Sequence, residues 1–202
     1  AGTNLAGESV PGRGGSVVAF TRMDRILEID EKNRTARVQP GVINFDLQQA
    51  VEQRGLMYPP DPSSWKMATM GGTTATNAGG PRTLKYGVTR DYLLGLTVVL
   101  ANGDVLKTGG TTIKNVTGYD LTRLMCGSEG TLGLITEIVV RLIPKPLASR
   151  TVQAVFERLE DSSDAVASII AQGIVPASLE LMDRVIVSAV EADSPSGLPT
   201  DA

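Results

Sequence analysis

The chain has 202 residues, no histidine and a single cysteine, with 19 basic against 22 acidic residues and a formal net charge of -3. A Ser-His-Asp triad, a Cys-His dyad, a His-ligated metal and an internal disulfide are therefore excluded within it. A broad basic footprint for nucleic acid is not expected either.

The length suits one large domain, or a domain plus part of another. The apolar share of 42% is that of a soluble globular protein, and no apolar run nears the roughly 20 residues a membrane helix requires. No signal-peptide pattern opens the chain. It begins at Ala1 inside a glycine motif and is expected to be a piece of something longer.

In chain order, residues 16–20 and 26–30 are expected as short strands, and residues 35–39 follow the turn Glu31-Lys32-Asn33-Arg34. Residues 44–54 are expected as a helix with Asn44 at its N-cap and Gly55 as its stop. Residues 57–64 form a proline-rich loop, and from 69 to 91 glycines, threonines and Pro81 leave room for no long regular element. Residues 93–100 are a strongly apolar strand, and Asn102-Gly103 signals a hairpin back through 105–107. A short helix is expected at 120–126 and a strand at 132–143. Beyond Pro144-Lys145-Pro146 the character changes. Strands are expected at 150–157 and 178–181, with helices from Ser162 or Ser163 to 172 and over 184–191. The tail 194–202, rich in Pro, Ser and Gly, is expected to be disordered.

Of 22 glycines, 20 lie at or before position 133. Three glycine-rich segments stand out among them, at 1–7, 70–80 and 127–133, each mixing glycine with hydroxyls or amides. Such loops let backbone N–H groups converge on an anion without a lysine. None fits the Walker A pattern, and none opens the helix of a βαβ unit as G-x-G-x-x-G.

The ordered set of motifs resembles the vanillyl-alcohol oxidase / p-cresol methylhydroxylase (PCMH-type) family of FAD-binding domains. Residues 1–7, Pro59-Pro60-Asp61-Pro62-Ser63-Ser64, the span from Gly71-Gly72 to Gly79-Gly80, and GSEGTLGLIT at 127–136 carry the likeness. The segments 85–91 (KYGVTRD) and 114–121 (KNVTGYDL) look like the branch holding FAD-linked glycolate oxidase subunits and D-lactate dehydrogenases.

That resemblance implies an α+β chain: a PCMH-type FAD-binding domain of two lobes over 1–146, lacking its N-terminal part, then the start of an α+β cap domain over 147–202. It implies non-covalent FAD, since no histidine is available to link it. Gly2, Thr3, Asn4, Leu5 and Gly7 would wrap the pyrophosphate, with Pro60, Asp61 and Ser64 beside the flavin. Thr69, Gly71, Gly72, Thr76, Asn77 and Ala78 would run along the diphosphate and isoalloxazine. Gly87 would allow close backbone approach, and Glu129, Gly130 and Ile135 would contact the adenosine side.

The implied activity is oxidation of a small 2-hydroxy acid, of the glycolate or D-lactate type, to the 2-oxo acid by hydride transfer to flavin N5. The catalytic residues would lie outside this stretch, and no metal site is expected in it. Alternatives are another flavin oxidase of the superfamily or a non-catalytic nucleotide-binding subunit. Iron-sulfur or other electron-transfer subunits are the implied partners, in a cytoplasmic setting with peripheral membrane association through them. Lys85, Arg90 and Lys114 either neutralise phosphate or substrate carboxylate, or are solvated surface charges. Cys126 is expected as a small buried hydrophobe.

Overall fold

The computed structural model describes residues 2–4, 7, 9–12 and 14–200. It divides into two compact units, Ala1–Lys145 and Pro146–Ala202.

The first unit mixes helix and sheet. Strands β1 (Ile26–Asp30) and β2 (Thr35–Val38) form a hairpin and are followed by helix α1 (Asn44–Glu52) and the two-residue strand β3 (Leu56–Met57). Short helices α2 (Met70–Thr76) and α3 (Thr83–Tyr86) come next, then a 3-10 turn at Thr89–Tyr92. Strands β4 (Leu93–Val99) and β5 (Val105–Gly109), helix α4 (Leu121–Met125), strand β6 (Leu134–Arg141) and strand β7 (Ile143–Pro144) complete it. Five strands form one sheet in the order β1-β2-β6-β4-β5, antiparallel at every pairing. β3 pairs antiparallel with β7.

Alternation along the strands puts Ala36, Val38, Leu96, Val98, Ile138 and Val140 into one core with Leu47 and Val51 of α1 and Met70 of α2. Two irregularities tune that alternation. The register between β4 and β6 shifts between Thr97 and Val98, where Thr136 is the extra residue, so Ile135 and Ile138 both turn inward despite their odd spacing. A second shift between Leu93 and Gly95 does the same for Leu93 and Leu96. Arg37, on the opposite face of β2, pairs with Glu28 at 2.9 Å.

Several expected elements differ. Residues 16–20 form no strand, and Val17 and Val18 are 66% and 57% exposed. Residues 150–157 and 178–181 are likewise not strands, with Val152 at 86% exposure. Apolar alternation alone makes no strand; it needs a neighbour to complete its ladder, and these segments have none. Asn44 is not the N-cap of α1. Ile43 holds that place, and Asn44 is the first helical residue, fully buried.

In the second unit, α5 (Leu159–Ala171) starts before both expected caps, and the hydroxyls of Ser162 and Ser163 bond back to the Leu159 carbonyl. Helix α6 (Arg184–Asp193) is capped by Asp183, whose carboxylate accepts the Ile186 N–H at 2.8 Å. Neither helix has a fully buried residue. Residues 196–198 of the tail expected to be disordered hold a defined turn. Their N–H groups converge on the Glu191 carboxylate, which also accepts the Ser196 hydroxyl at 2.7 Å.

Replacing Ile138, wholly buried at the sheet centre, by Ala should cost about 3 kcal/mol in urea unfolding; a loss under about 1 kcal/mol would contradict the packing. The Ser196 hydroxyl first, then the tail N–H groups, hold the Glu191 carboxyl down to about 2 from 4.5. A folded value below the unfolded one means the tail turn is supported above pH 4.5 and released as pH falls toward 2. Carboxyl-carbon NMR should show a Glu191 midpoint near 2, and a midpoint at 4.5 would deny the turn.

Candidate functional site

Glycine-rich segment 70–80 carries no ionised side chain, and its two ends are fixed by different partners. At the start, Thr69 caps α2 by accepting the Gly72 N–H on Oγ1 at 3.2 Å. The N–H groups of Met70 and Gly71 are taken by the carbonyls of Val42 and Pro40, each at 2.8 Å. Gly71 sits so close to Pro40 that a Cβ would lie 2.6 Å from the proline Cβ. The N–H groups of Met70, Gly71 and Gly72 are thus consumed by the fold at the start of this helix.

The other end of α2 is different. Asn77 takes the left-handed conformation, φ 50 and ψ 51, and ends the helix. Its Oδ1 accepts the Arg90 backbone N–H at 2.9 Å and the Cys126 thiol at 3.6 Å. The carbonyls of Thr74 and Ala75, in the last turn of α2, accept the N–H groups of Gly127 and Glu129, each at 3.0 Å. Thr76 turns its hydroxyl back to the Gly72 carbonyl at 3.0 Å. Ala78 gives its N–H to Thr73, and its carbonyl accepts both the N–H and the hydroxyl of Thr89. The 127–130 loop is thereby docked on 74–78. Gly127, Glu129 and Gly130 all have positive φ, and the space beside Gly130 is open.

At Gly79-Gly80 the segment meets the proline loop. A Cβ on Gly80 would collide with the Asp61 carbonyl, so only glycine fits. Asp61 pairs with Arg82 at 3.1 Å, and its carboxylate accepts the Arg82 N–H. Pro60 is buried, and its carbonyl accepts the side-chain amides of Asn44 and Gln48 at 3.3 and 3.2 Å. The Ser64 carbonyl accepts the N–H groups of Met67 and Ala68 in the same loop.

Of the expected clusters, residues 69–78 and 129–130 are thus joined by hydrogen bonds, and the 60–64 loop meets the same segment at Gly80. Gly87 has φ 81, gives its N–H to the Thr83 carbonyl, and a Cβ on it would collide with the Asp91 carboxylate. Ile135 is 8% exposed, its side chain in the core. In the first loop Gly2 and Gly7 have positive φ, the Ser9 hydroxyl reaches Asn4 at 3.5 Å, and nothing lies within 4 Å of a Cβ on Gly7. Thr3 lies in the same described stretch, and Leu5 falls outside the described residues.

Sequence reasoning missed Arg90, Gln48 and Thr89 as struts of this assembly. Only the polar i,i+4 pair Asn44/Gln48 on an otherwise apolar helix face gave a usable signal. Cys126 is buried, 3% exposed. Burial pushes its thiol up, and the Arg90 charge opposes that only in part, which suits a packed thiol rather than a nucleophile. Burial likewise raises the Tyr58 phenol, fully enclosed with its ring 6.0 Å from that of Tyr92.

A family model described as an FAD binding domain matches residues 1–109, and one described as the C-terminal domain of FAD linked oxidases matches residues 145–202. Glycolate oxidase subunit GlcD of Bacillus subtilis is 55% identical over 201 residues, covering 100% of this chain and 43% of that protein. D-lactate dehydrogenase of Anaerostipes hadrus is 44% identical over 94% of this chain and 40% of its own length. D-2-hydroxyglutarate dehydrogenase of Stutzerimonas stutzeri is 38% identical over 88% and 43% respectively. Among solved structures, an alkyldihydroxyacetonephosphate synthase superposes with a TM-score of 0.72 at 28% identity, over 87% of this chain and 32% of that one. The chain spans 40 to 43% of the length of these curated relatives.

Asn77→Ala removes both side-chain bonds and forces a Cβ-bearing residue without a local bond into the left-handed region. It should cost about 2 kcal/mol in urea unfolding, and Asn77→Gly, which keeps the backbone conformation, about 1 kcal/mol. Equal losses would show that the left-handed turn contributes nothing.

Proposed function

The chain belongs to the FAD binding domain family, and from that premise we propose that it is the cofactor-holding part of an FAD-dependent oxidoreductase acting on a small 2-hydroxy acid. The observation that carries this reading is the docked assembly of 74–80 with 127–130. The run of glycine, threonine, alanine and asparagine at 74–80 is held by hydrogen bonds from Arg90, Cys126 and Thr89.

These residues fit a dinucleotide. The 70–80 run offers neutral dipoles and no ionised side chain to a dianionic diphosphate, and the docked 127–130 loop adds one carboxylate, Glu129. The open flank of Gly130 and the positive φ of Gly127 and Gly130 allow the backbone to come close. Gly130, with its open flank, would approach the cofactor through its backbone, and Asn77, Ala78 and Glu129, whose N–H groups are bonded to Thr74, Thr73 and Ala75, would shape the surface beside it, with Pro60, Asp61 and Ser64 at the Gly80 end and Gly2, Thr3, Asn4, Leu5 and Gly7 assigned to the pyrophosphate. Gly71, Gly72 and Thr76 would shape this run, their donors being engaged within the fold, while the Thr69 hydroxyl, which accepts from Gly72, would still have a proton to offer the diphosphate. Bound FAD supplies a two-electron acceptor for the C–H of the hydroxy acid.

With no histidine in the chain, attachment here is non-covalent, and the residues that move the substrate's proton belong to the rest of the longer protein. Residues 1–146 are the FAD-binding domain and 147–202 the start of the substrate domain. The 55% identity to a glycolate oxidase subunit, against 28% to an ether-lipid synthase, favours the hydroxy-acid branch over other flavin oxidases. Because that relative is named as a subunit, electron-transfer subunits are the proposed partners. Among the described residues no helix is long and apolar enough to cross a membrane; a cytoplasmic setting, with any membrane contact made through partners, is proposed with them.

The purified full-length protein should show flavin absorption bands, bleached anaerobically by glycolate, D-lactate or 2-hydroxyglutarate. A spectrum without flavin bands even after FAD is added refutes the cofactor reading, and bands that none of the three acids bleaches refute the substrate class.

A further inference from the structure

We propose that the cavity beside Tyr86 and Arg141 is a binding site for a small organic carboxylate, separate from the glycine-rich assembly and independent of the flavin reading. The cavity, of about 370 Å³, is bordered by Lys85, Arg123 and Arg141, with Leu94 and Ile113 on its wall and Asp91 as its one acid.

The charges do not balance within it. Arg141 is half-buried, lies 4.7 Å over the Tyr92 ring and gives its Nε–H to the Asp91 carbonyl at 2.9 Å. That contact uses one edge of the guanidinium and supplies no negative charge. The Asp91 carboxylate is already engaged, accepting the Val88 N–H at 2.9 Å beside Gly87. Among the described residues neither Arg141 nor Lys85 has a carboxylate within ion-pair distance. Lys85 instead holds its ammonium 5.7 Å from the Tyr86 ring centre. Arg123 reaches Asp120 at 3.5 Å, but both side chains are more than half exposed, so the pair is weak and easily exchanged.

Three cations against one committed acid leave the cavity with a surplus of positive charge, and a half-buried guanidinium without a counter-ion is costly. An incoming carboxylate satisfies it, since the free edge of Arg141 matches a carboxylate's two oxygens. Size and lining choose the ligand further. The volume sits at the small end of the roughly 300–1,000 Å³ of ligand pockets. Leu93, Leu94 and Ile113 add a minor apolar strip to a mostly polar lining, a contact that a short-chain organic acid can use and phosphate cannot.

The test uses the full-length protein as purified, with or without bound flavin. Surface amines are labelled with succinimidyl acetate, and modification at Lys85 is followed by mass spectrometry. Butyrate is the probe because it has no hydroxyl to oxidise. At about ten times its dissociation constant it should slow Lys85 labelling about tenfold and leave the exposed Lys107 unchanged. Arg123→Gln should shift the protecting concentration upward severalfold. Inorganic phosphate at equal ionic strength should protect far less.

The proposal is overturned if butyrate leaves the Lys85 rate unchanged, if phosphate protects equally, or if R123Q protein is protected as well as the unaltered one. It is also overturned if Lys85 is inert without ligand, because the cavity is then covered in the whole protein. A protein without flavin bands would sink the proposed function and leave this measurement standing.

Discussion

Strand β6 is the constraint on which the rest of the first unit depends. It lies at the middle of the five-stranded sheet, with β2 on one side and β4 on the other, and so joins segments some hundred residues apart in the chain. Its inward residues Ile138 and Val140 are wholly buried. The shift at Thr136 turns Ile135 inward as well, and this controls how the chain enters the strand. That entry is the 127–133 loop, docked through backbone bonds onto the last turn of α2. Sheet register and candidate site are therefore coupled: slipping β6 by one residue would expose its core face and move Gly127 and Glu129 off the carbonyls that hold them.

Asn77 completes this coupling at small cost. A helix usually ends on glycine in the left-handed region, and asparagine is the common alternative because its side chain can bond locally. Here the amide goes further, accepting from Arg90 on one segment and Cys126 on another. A glycine would make the same turn without joining them. The buried cysteine has a packing role in the same joint: its thiol is a weak donor to an acceptor already used by a stronger one, and burial keeps it protonated.

How much of this was legible in the sequence follows from what each element needs. The runs at 26–30, 93–99 and 134–141 are rich in β-forming apolar residues and find partners in one sheet, so expectation and outcome agree. The run at 16–20 has equal β-propensity, but no strand completes its ladder, and partner availability is a tertiary property that no local window contains. The glycine loops were visible as candidates by composition. Which of their N–H groups remain for a ligand was not, because that depends on Pro40 and Val42 arriving from thirty residues upstream to take those of Met70 and Gly71. Asn44 illustrates the same limit. A polar residue before an apolar stretch is a sound N-cap signal, but this one is drawn inside to hold the Pro60 carbonyl together with Gln48.

The distribution of charge gives the lack of histidine a positive meaning. A diphosphate binder can use cations, which bind strongly but indiscriminately, or oriented neutral dipoles, which demand a fixed backbone. The 70–80 stretch has no ionised side chain, and its geometry is fixed by hydrogen bonds at both ends, as the second strategy requires. The cations Lys85, Arg123 and Arg141 gather instead around a different cavity. Placing them there keeps the glycine-rich run neutral, as the proposed recognition of a dinucleotide by shape and dipole requires. A small anion attracted by those cations would then have no reason to compete with the cofactor for the same donors. The electrostatic attraction of a small acid and the shape-selective hold on a large cofactor can thus be tuned by separate residues of one domain.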